Sequence, residues 1–167
     1  MNEDRLKRPF VGRAGQLLDK LIVEIGWQRS EVYITNIVKR RPPENRDPMP
    51  QEIEAYKPYL ARQIKIIDPV LIATLGRFSM NYFLPQAKIT RDQGKVFRLG
   101  NRCIVPLLHP AAALRSPDMM NLLGESFRKL PAIVKKCAAL EPPEDPPAVG
   151  SRAKGEDGGQ QPQATLF

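Results

Sequence analysis

Three short apolar runs constrain this chain more than any other feature: Val32-Tyr33-Ile34-Thr35-Asn36-Ile37-Val38, Val70-Leu71-Ile72-Ala73-Thr74-Leu75 and Cys103-Ile104-Val105-Pro106-Leu107-Leu108. Runs of this length and β-branched content are typical of strands buried in a parallel sheet. The segments around them carry helical spacing. Leu17, Leu18, Leu21, Ile22 and Ile25 line one face ahead of the first run, and Gly26 stops that helix. Residues 51–67 form an amphipathic helix closed by Asp68-Pro69, residues 77–84 a shorter one, and a further helix is expected over 117–140. Alternation of this kind predicts an α/β protein, a three-layer α/β/α sandwich around a parallel central sheet. The polar, glycine-containing stretch 88–101 reads as a hairpin or loop. Three core strands are few for this class, and a helix comes first, so the chain reads as though a first strand were absent.

The third run stops at His109, the only histidine, and Pro110 prevents its continuation. An imidazole is thereby placed at the carboxyl end of a strand, where open α/β sheets bind their ligands. Small alanines follow, then Leu114-Arg115, an apolar wedge beside a cation, which suits entry into a DNA stack. A histidine in this place also serves as an ordinary loop cap.

Charge points the same way. The net charge of +8 is unevenly spread: from Glu141 onward two bases, Arg152 and Lys154, stand against five acids, a balance of −3, which leaves +11 on residues 1–140. A basic folded body suggests a polyanionic partner. No apolar run approaches the ~20 residues of a membrane span, and Met1-Asn2-Glu3-Asp4-Arg5 lacks the apolar stretch of a signal peptide. A soluble, cytoplasmic protein acting as a monomer is expected. Cys103 and Cys137 lie far apart without metal-ligand spacing and are expected to be two buried thiols. Residues 1–140 read as one domain. Proline and glycine make up nine of the last 27 residues, so 141–167 reads as a disordered tail, broken only by Gln163-Ala164-Thr165-Leu166-Phe167.

Three segments are expected at one sheet edge: the turn Arg8-Pro9-Phe10-Val11-Gly12-Arg13-Ala14-Gly15-Gln16, the strand end Thr35-Asn36, and the His109 loop. They offer an aromatic face on which a base can stack, a carboxamide that donates and accepts at once, and an imidazole that can stabilise charge on a leaving group. Together with Arg41-Pro42-Pro43, Asn45-Arg46 and His109-Pro110-Ala111-Ala112, these segments resemble the family 4 uracil-DNA glycosylases, in order and over most of residues 2–140.

The resemblance implies a four-stranded parallel sheet and hydrolysis of the N-glycosidic bond of deoxyuridine in DNA, the first step of base excision repair. Phe10 would stack on the flipped uracil, Asn36 would bind its Watson–Crick edge, and His109 its O2 side. Leu114 would fill the gap in the duplex with Arg115 beside it, and Arg40 and Arg41 would meet phosphate. The family's first motif would precede Met1, so only its trailing Glu3-Asp4 remains to supply the catalytic carboxylate, and a truncated gene model or fragment is expected. The alternative is a catalytically impaired fragment, or a DNA-binding relative tethered to the sliding clamp; a relative acting on another damaged base is a third reading. The family's [4Fe–4S] cluster is not expected, because Arg40 and Tyr56 stand at two of its cysteine positions. Gln163, Leu166 and Phe167 are similar to the short peptide that bacterial repair proteins dock into the sliding clamp.

Overall fold

The structure is a computed structural model, which describes residues 12–39, 46–139 and 164–166. Helix α1 (Arg13–Glu24) buries Leu18, Leu21 and Ile22 and ends at Gly26, whose φ of 81° is a conformation that glycine adopts without penalty. A short 3₁₀ turn (Arg29–Glu31) leads into β1 (Val32–Ile34). Helix α2 (Pro50–Ile67) opens on a proline, which has no N–H to leave unpaired there, and closes at Asp68 in the left-handed region. Strand β2 (Leu71–Leu75), α3 (Arg77–Phe83), the single turn α4 (Ile89–Asp92), β3 (Phe97–Leu99) and β4 (Arg102–Leu107) follow. The chain then forms the short α5 (Pro110–Ala113) and the long α6 (Pro117–Ala138); a last strand, β5 (Ala164–Leu166), completes the described elements.

The sheet has the order β1-β5-β2-β4-β3. The first four strands are parallel, and β3 runs antiparallel along β4 as an edge. Alternate strand residues point to opposite layers. Leu71, Ala73, Leu75, Cys103, Val105 and Leu107 pack with α1 and α6 around Leu18, Phe127 and Leu130. Ile72 and Ile104 face Leu60 of α2 and Phe78 and Tyr82 of α3. The three layers expected from the alternation are therefore present. Pro106 is tolerated inside β4 because it lies past the end of β3, which pairs only as far as Ile104. No helix among the described residues is long and apolar enough to cross a membrane.

The central strands are parallel as expected, and 88–101, read as a hairpin or loop, supplies the antiparallel edge strand β3 beside β4. Three expectations need correction. The first run is a strand only over Val32–Ile34; Thr35 onward is irregular. The cysteines are not free thiols: Cys103 and Cys137 form a disulfide, since α6 runs back antiparallel to β4 and brings together residues 34 apart in sequence. The expectation of a disordered tail fails for residues 164–166, which form a strand between β1 and β2. Two half-sheets with open backbone groups on facing edges are a strong enough template to pair even a segment with poor strand signals.

Candidate functional site

The carboxyl ends of β1, β2 and β4 share one edge of the sheet. Ile34 is in register with Leu166, Leu166 with Ala73, and Ala73 with Val105. Two residues on, Asn36 therefore lies level with Leu75 and Leu107, and His109 stands two residues beyond Leu107. Three strand steps separate β1 from β4, about 14 Å at the usual spacing. The structure thus brings Asn36 and His109 to the same sheet edge, three strand steps apart.

His109 caps α5: its Nδ1 accepts a hydrogen bond from the Ala111 N–H at 3.1 Å. A nitrogen that accepts carries no proton, so the neutral ring holds its proton on Nε2. Burial pushes the imidazole pKa below its ordinary value and keeps the ring neutral. The cap expected of a loop histidine is therefore present, and it occupies Nδ1. The ring is seated from beneath by Gly76, whose φ is 88° and where a Cβ would meet His109 Cβ at 3.1 Å. The Gly76 N–H donates to Leu107 O at 2.8 Å, continuing the β2–β4 pairing past the strand ends. The Leu108 N–H donates to Gln93 Oε1, and Gln93 Nε2 donates to Ser126 Oγ at 3.0 Å, which ties the loop to α6. Leu114 and Arg115 form the turn closing α5; their N–H groups donate to Pro110 O and Ala112 O, and both side chains are exposed.

The Asn36 side is built differently. Thr35 is buried, Asn36 exposed, and the turn is pinned by a residue that sequence reasoning missed, Lys39. Its ammonium donates to Thr35 Oγ1 at 2.8 Å, to the Asn36 carbonyl at 2.7 Å and to Gln63 Oε1 at 2.7 Å. Gln63 Nε2 in turn donates to the Tyr33 hydroxyl at 2.8 Å, so α2 is joined to both ends of the segment. Burial lowers the Lys39 pKa to about 8. The only local signal is the spacing of Lys39 three residues after Asn36; Gln63 gives none, because it arrives from another element. Farther along, Arg46 holds Glu52 with two hydrogen bonds of 2.8 and 2.7 Å, and the Glu52 carboxyl, which also accepts from the Met49 N–H, is lowered to about 2. These bonds tie Arg46 and Met49 to the first turn of α2.

Glu3, Asp4, Phe10, Arg40, Arg41, Gln163 and Phe167 lie outside the described residues, and Leu166 is described as a strand residue only. Tyr56, half-buried on α2, lies 6.1 Å from the Tyr59 ring between centroids. The described residues do not fit an iron–sulfur cluster. Such a group needs thiolates, whereas the two cysteines are bonded to each other at the sheet edge opposite His109. No group of three or more His, Cys, Asp or Glu among the described residues is arranged to hold a metal ion.

An α/β fold whose sheet carries an amide and an imidazole at one carboxyl edge is on hand here, and this chain belongs to the uracil DNA glycosylase superfamily, whose family model matches residues 1–133. Within it, the chain is similar to the type-4 uracil-DNA glycosylase of Sulfurisphaera tokodaii, 48% identical over 139 residues, with 77% of this chain and 63% of the relative covered. It is also similar to the type-4 uracil-DNA glycosylases of Saccharolobus solfataricus, 45% identical with 94% of this chain and 76% of the relative covered, and of Thermotoga maritima, 41% identical with 80% and 72% covered. The chain therefore spans between about three fifths and three quarters of the length of these relatives.

Proposed function

We propose that the chain excises uracil from DNA by hydrolysing the N-glycosidic bond of a flipped deoxyuridine, initiating base excision repair. The observation that carries this reading is the hydrogen bond from the Ala111 N–H to His109 Nδ1. With Nδ1 accepting from Ala111, the Nε2–H is a neutral donor, and a neutral donor suits the O2 of a departing uracil anion. As the bond from C1′ to N1 breaks, its electron pair stays on the uracil ring, partly on O2, where that hydrogen bond strengthens. Water adds its oxygen to C1′ and releases a proton, for which Glu3 or Asp4 is the proposed acceptor.

Asn36 is the proposed reader. Its carbonyl accepts from uracil N3–H while its amide donates to O4; cytosine presents an acceptor and a donor at those positions and mismatches both. Phe10 stacks on the ring. Leu114 occupies the space the base leaves, Arg115 and the Arg40-Arg41 pair meet phosphates, and extrusion costs least at a mispaired or single-stranded uracil. The basic body fits this partner.

Docking of Gln163, Leu166 and Phe167 on a sliding clamp is a finer reading supported by the motif alone. Because Leu166 belongs to β5, docking requires the segment to leave the sheet. A pull-down with the clamp, repeated with Gln163→Ala, tests it.

The deciding measurement is release of uracil from a labelled oligonucleotide. We expect release by the chain, with loss in His109→Ala and Asn36→Ala variants that remain folded. DNA binding without release of uracil would overturn the enzymatic reading and leave a DNA-binding relative.

A further inference from the structure

Among the described strands, β1 is hydrogen-bonded to β5 alone, and β5 in turn to β2. The rest of the sheet is continuous: β2 pairs with β4 over five registered positions, and β4 with β3 over three. Asn36 stands two residues past the end of β1, whereas Gly76 and His109 stand past the ends of β2 and β4. Among the described residues, the only sheet hydrogen bonding that relates the Asn36 side to the His109 side therefore runs through Ala164–Leu166.

We propose that Ala164–Leu166 is a replaceable strand that registers the Asn36 side of the site against the His109 side, so that base recognition requires this segment to be seated. The proposal rests on the uracil-site reading given above. Three observations support it. First, register is specified on both flanks: Thr165 is opposite Tyr33 on one side and Ile72 on the other, so a slip would displace β1 relative to β2. Second, the seat is imperfect. Thr165 is buried, yet its hydroxyl has no hydrogen-bond partner among the described residues, and neither has the hydroxyl of Thr74, on the same face of neighbouring β2. A strand bound with an unsatisfied group at its centre is held less tightly than its neighbours. Third, β5 is parallel to β1 and β2 and reaches them from a remote part of the sequence. Among the described residues its seating is a long-range contact with β1 and β2, not a hairpin. The segment overlaps the residues whose motif resembles a clamp-docking peptide, and seating and docking exclude one another.

Hydrogen exchange on the full chain and on a chain ending at residue 162 tests the strand independently of activity. We expect amides of Val32–Ile34 and Leu71–Ala73 to lose at least tenfold in protection, while those of β4 and α6 keep theirs. A synthetic peptide of residues 160–167 added in trans should restore the lost protection, and a scrambled peptide should not. Uracil release should fall at least tenfold on truncation and recover with the peptide. Base preference for uracil over cytosine should narrow in the truncated chain, an effect that lower stability alone would not cause. In the full-length background, Thr165→Pro should reproduce the truncation and Thr165→Val should slow exchange in β1. Unchanged exchange in β1 on truncation overturns the proposal, and so does a global loss of protection that includes α6, which would make β5 an inseparable part of the core. Should the full chain release no uracil, the function reading falls while the exchange pattern still decides the role of β5.

Discussion

The His109 side and the Asn36 side of the sheet edge are held by different kinds of structure. The His109 side grows from β4, a six-residue strand with neighbours on both flanks, and continues into α5 and α6 without leaving the described chain. A disulfide from Cys103 to Cys137 closes a covalent ring that contains His109, Leu114 and Arg115. The Asn36 side grows from a three-residue strand with one strand neighbour and is completed by a lysine ammonium. The group proposed to work on developing charge is thus fixed by backbone and covalent geometry. The group proposed to read the base is fixed by side-chain hydrogen bonds and a short inserted strand. Catalytic placement tolerates little movement, whereas a reader that closes on its base tolerates more.

The largest break in this contrast should come from opening the ring. Cys137→Ser releases a loop of 34 residues and should cost about 3 to 4 kcal/mol of stability by the chain-entropy argument, read as a lower midpoint in denaturant without any change in the β1 network. Next comes His109→Ala, expected to reduce kcat by about a hundred- to a thousandfold with little change in KM, as for loss of one aligned donor. The same residue sets the acid limb of the pH profile. Its folded pKa lies below the ordinary value, so the neutral ring is favoured in the fold. Its contribution to stability is fully present above about pH 6.5, the ordinary value, and is lost as pH falls through the folded pKa. Activity should decline over that same acid range, because protonation of Nδ1 removes the Ala111 acceptor. An acid limb unchanged in His109→Gln would assign the titration to another group.

Smaller effects belong to the other side. Lys39→Met should raise KM about tenfold, roughly the lower end of the worth of one hydrogen bond to a charged group, and should leave kcat nearly unchanged. The wild-type chain should show the same weakening above about pH 8, where the amine loses the proton that gives it three donors. Identical KM for Lys39→Met and the parent at pH 7 would remove the pinning role. The smallest change is a gain: Thr165→Val keeps the shape, removes a buried hydroxyl without a partner, and should stabilise the chain by about 1 kcal/mol in thermal unfolding.

The legible parts of this molecule are those whose signals are local. The β2 and β4 runs, the stop at His109-Pro110 and the glycine after α1 announce themselves within a few residues. The edge placement of Asn36 and His109 followed from strand ends and the parallel-sheet rule alone. What escaped was assembled across distance. The disulfide joins a strand to the far end of a helix and has no characteristic spacing. Lys39 reads as the polar end of an apolar run until α2 delivers Gln63 to it. Strand β5 is Ala-Thr-Leu, three residues of no special strand content after a stretch rich in glycine and proline, and only the paired edges of β1 and β2 make it a strand. In each case the missing information lay in the partner.

The direction of β5 has a practical consequence. Being parallel to β1, β2 and β4, it points its carboxyl end at the same sheet edge as Asn36 and His109. A fluorescent probe or peptide joined to the carboxyl end of β5 would start from that edge, beside the two residues proposed to hold the base, so uracil release by a preparation carrying such a group reports on the added group as well as on the protein.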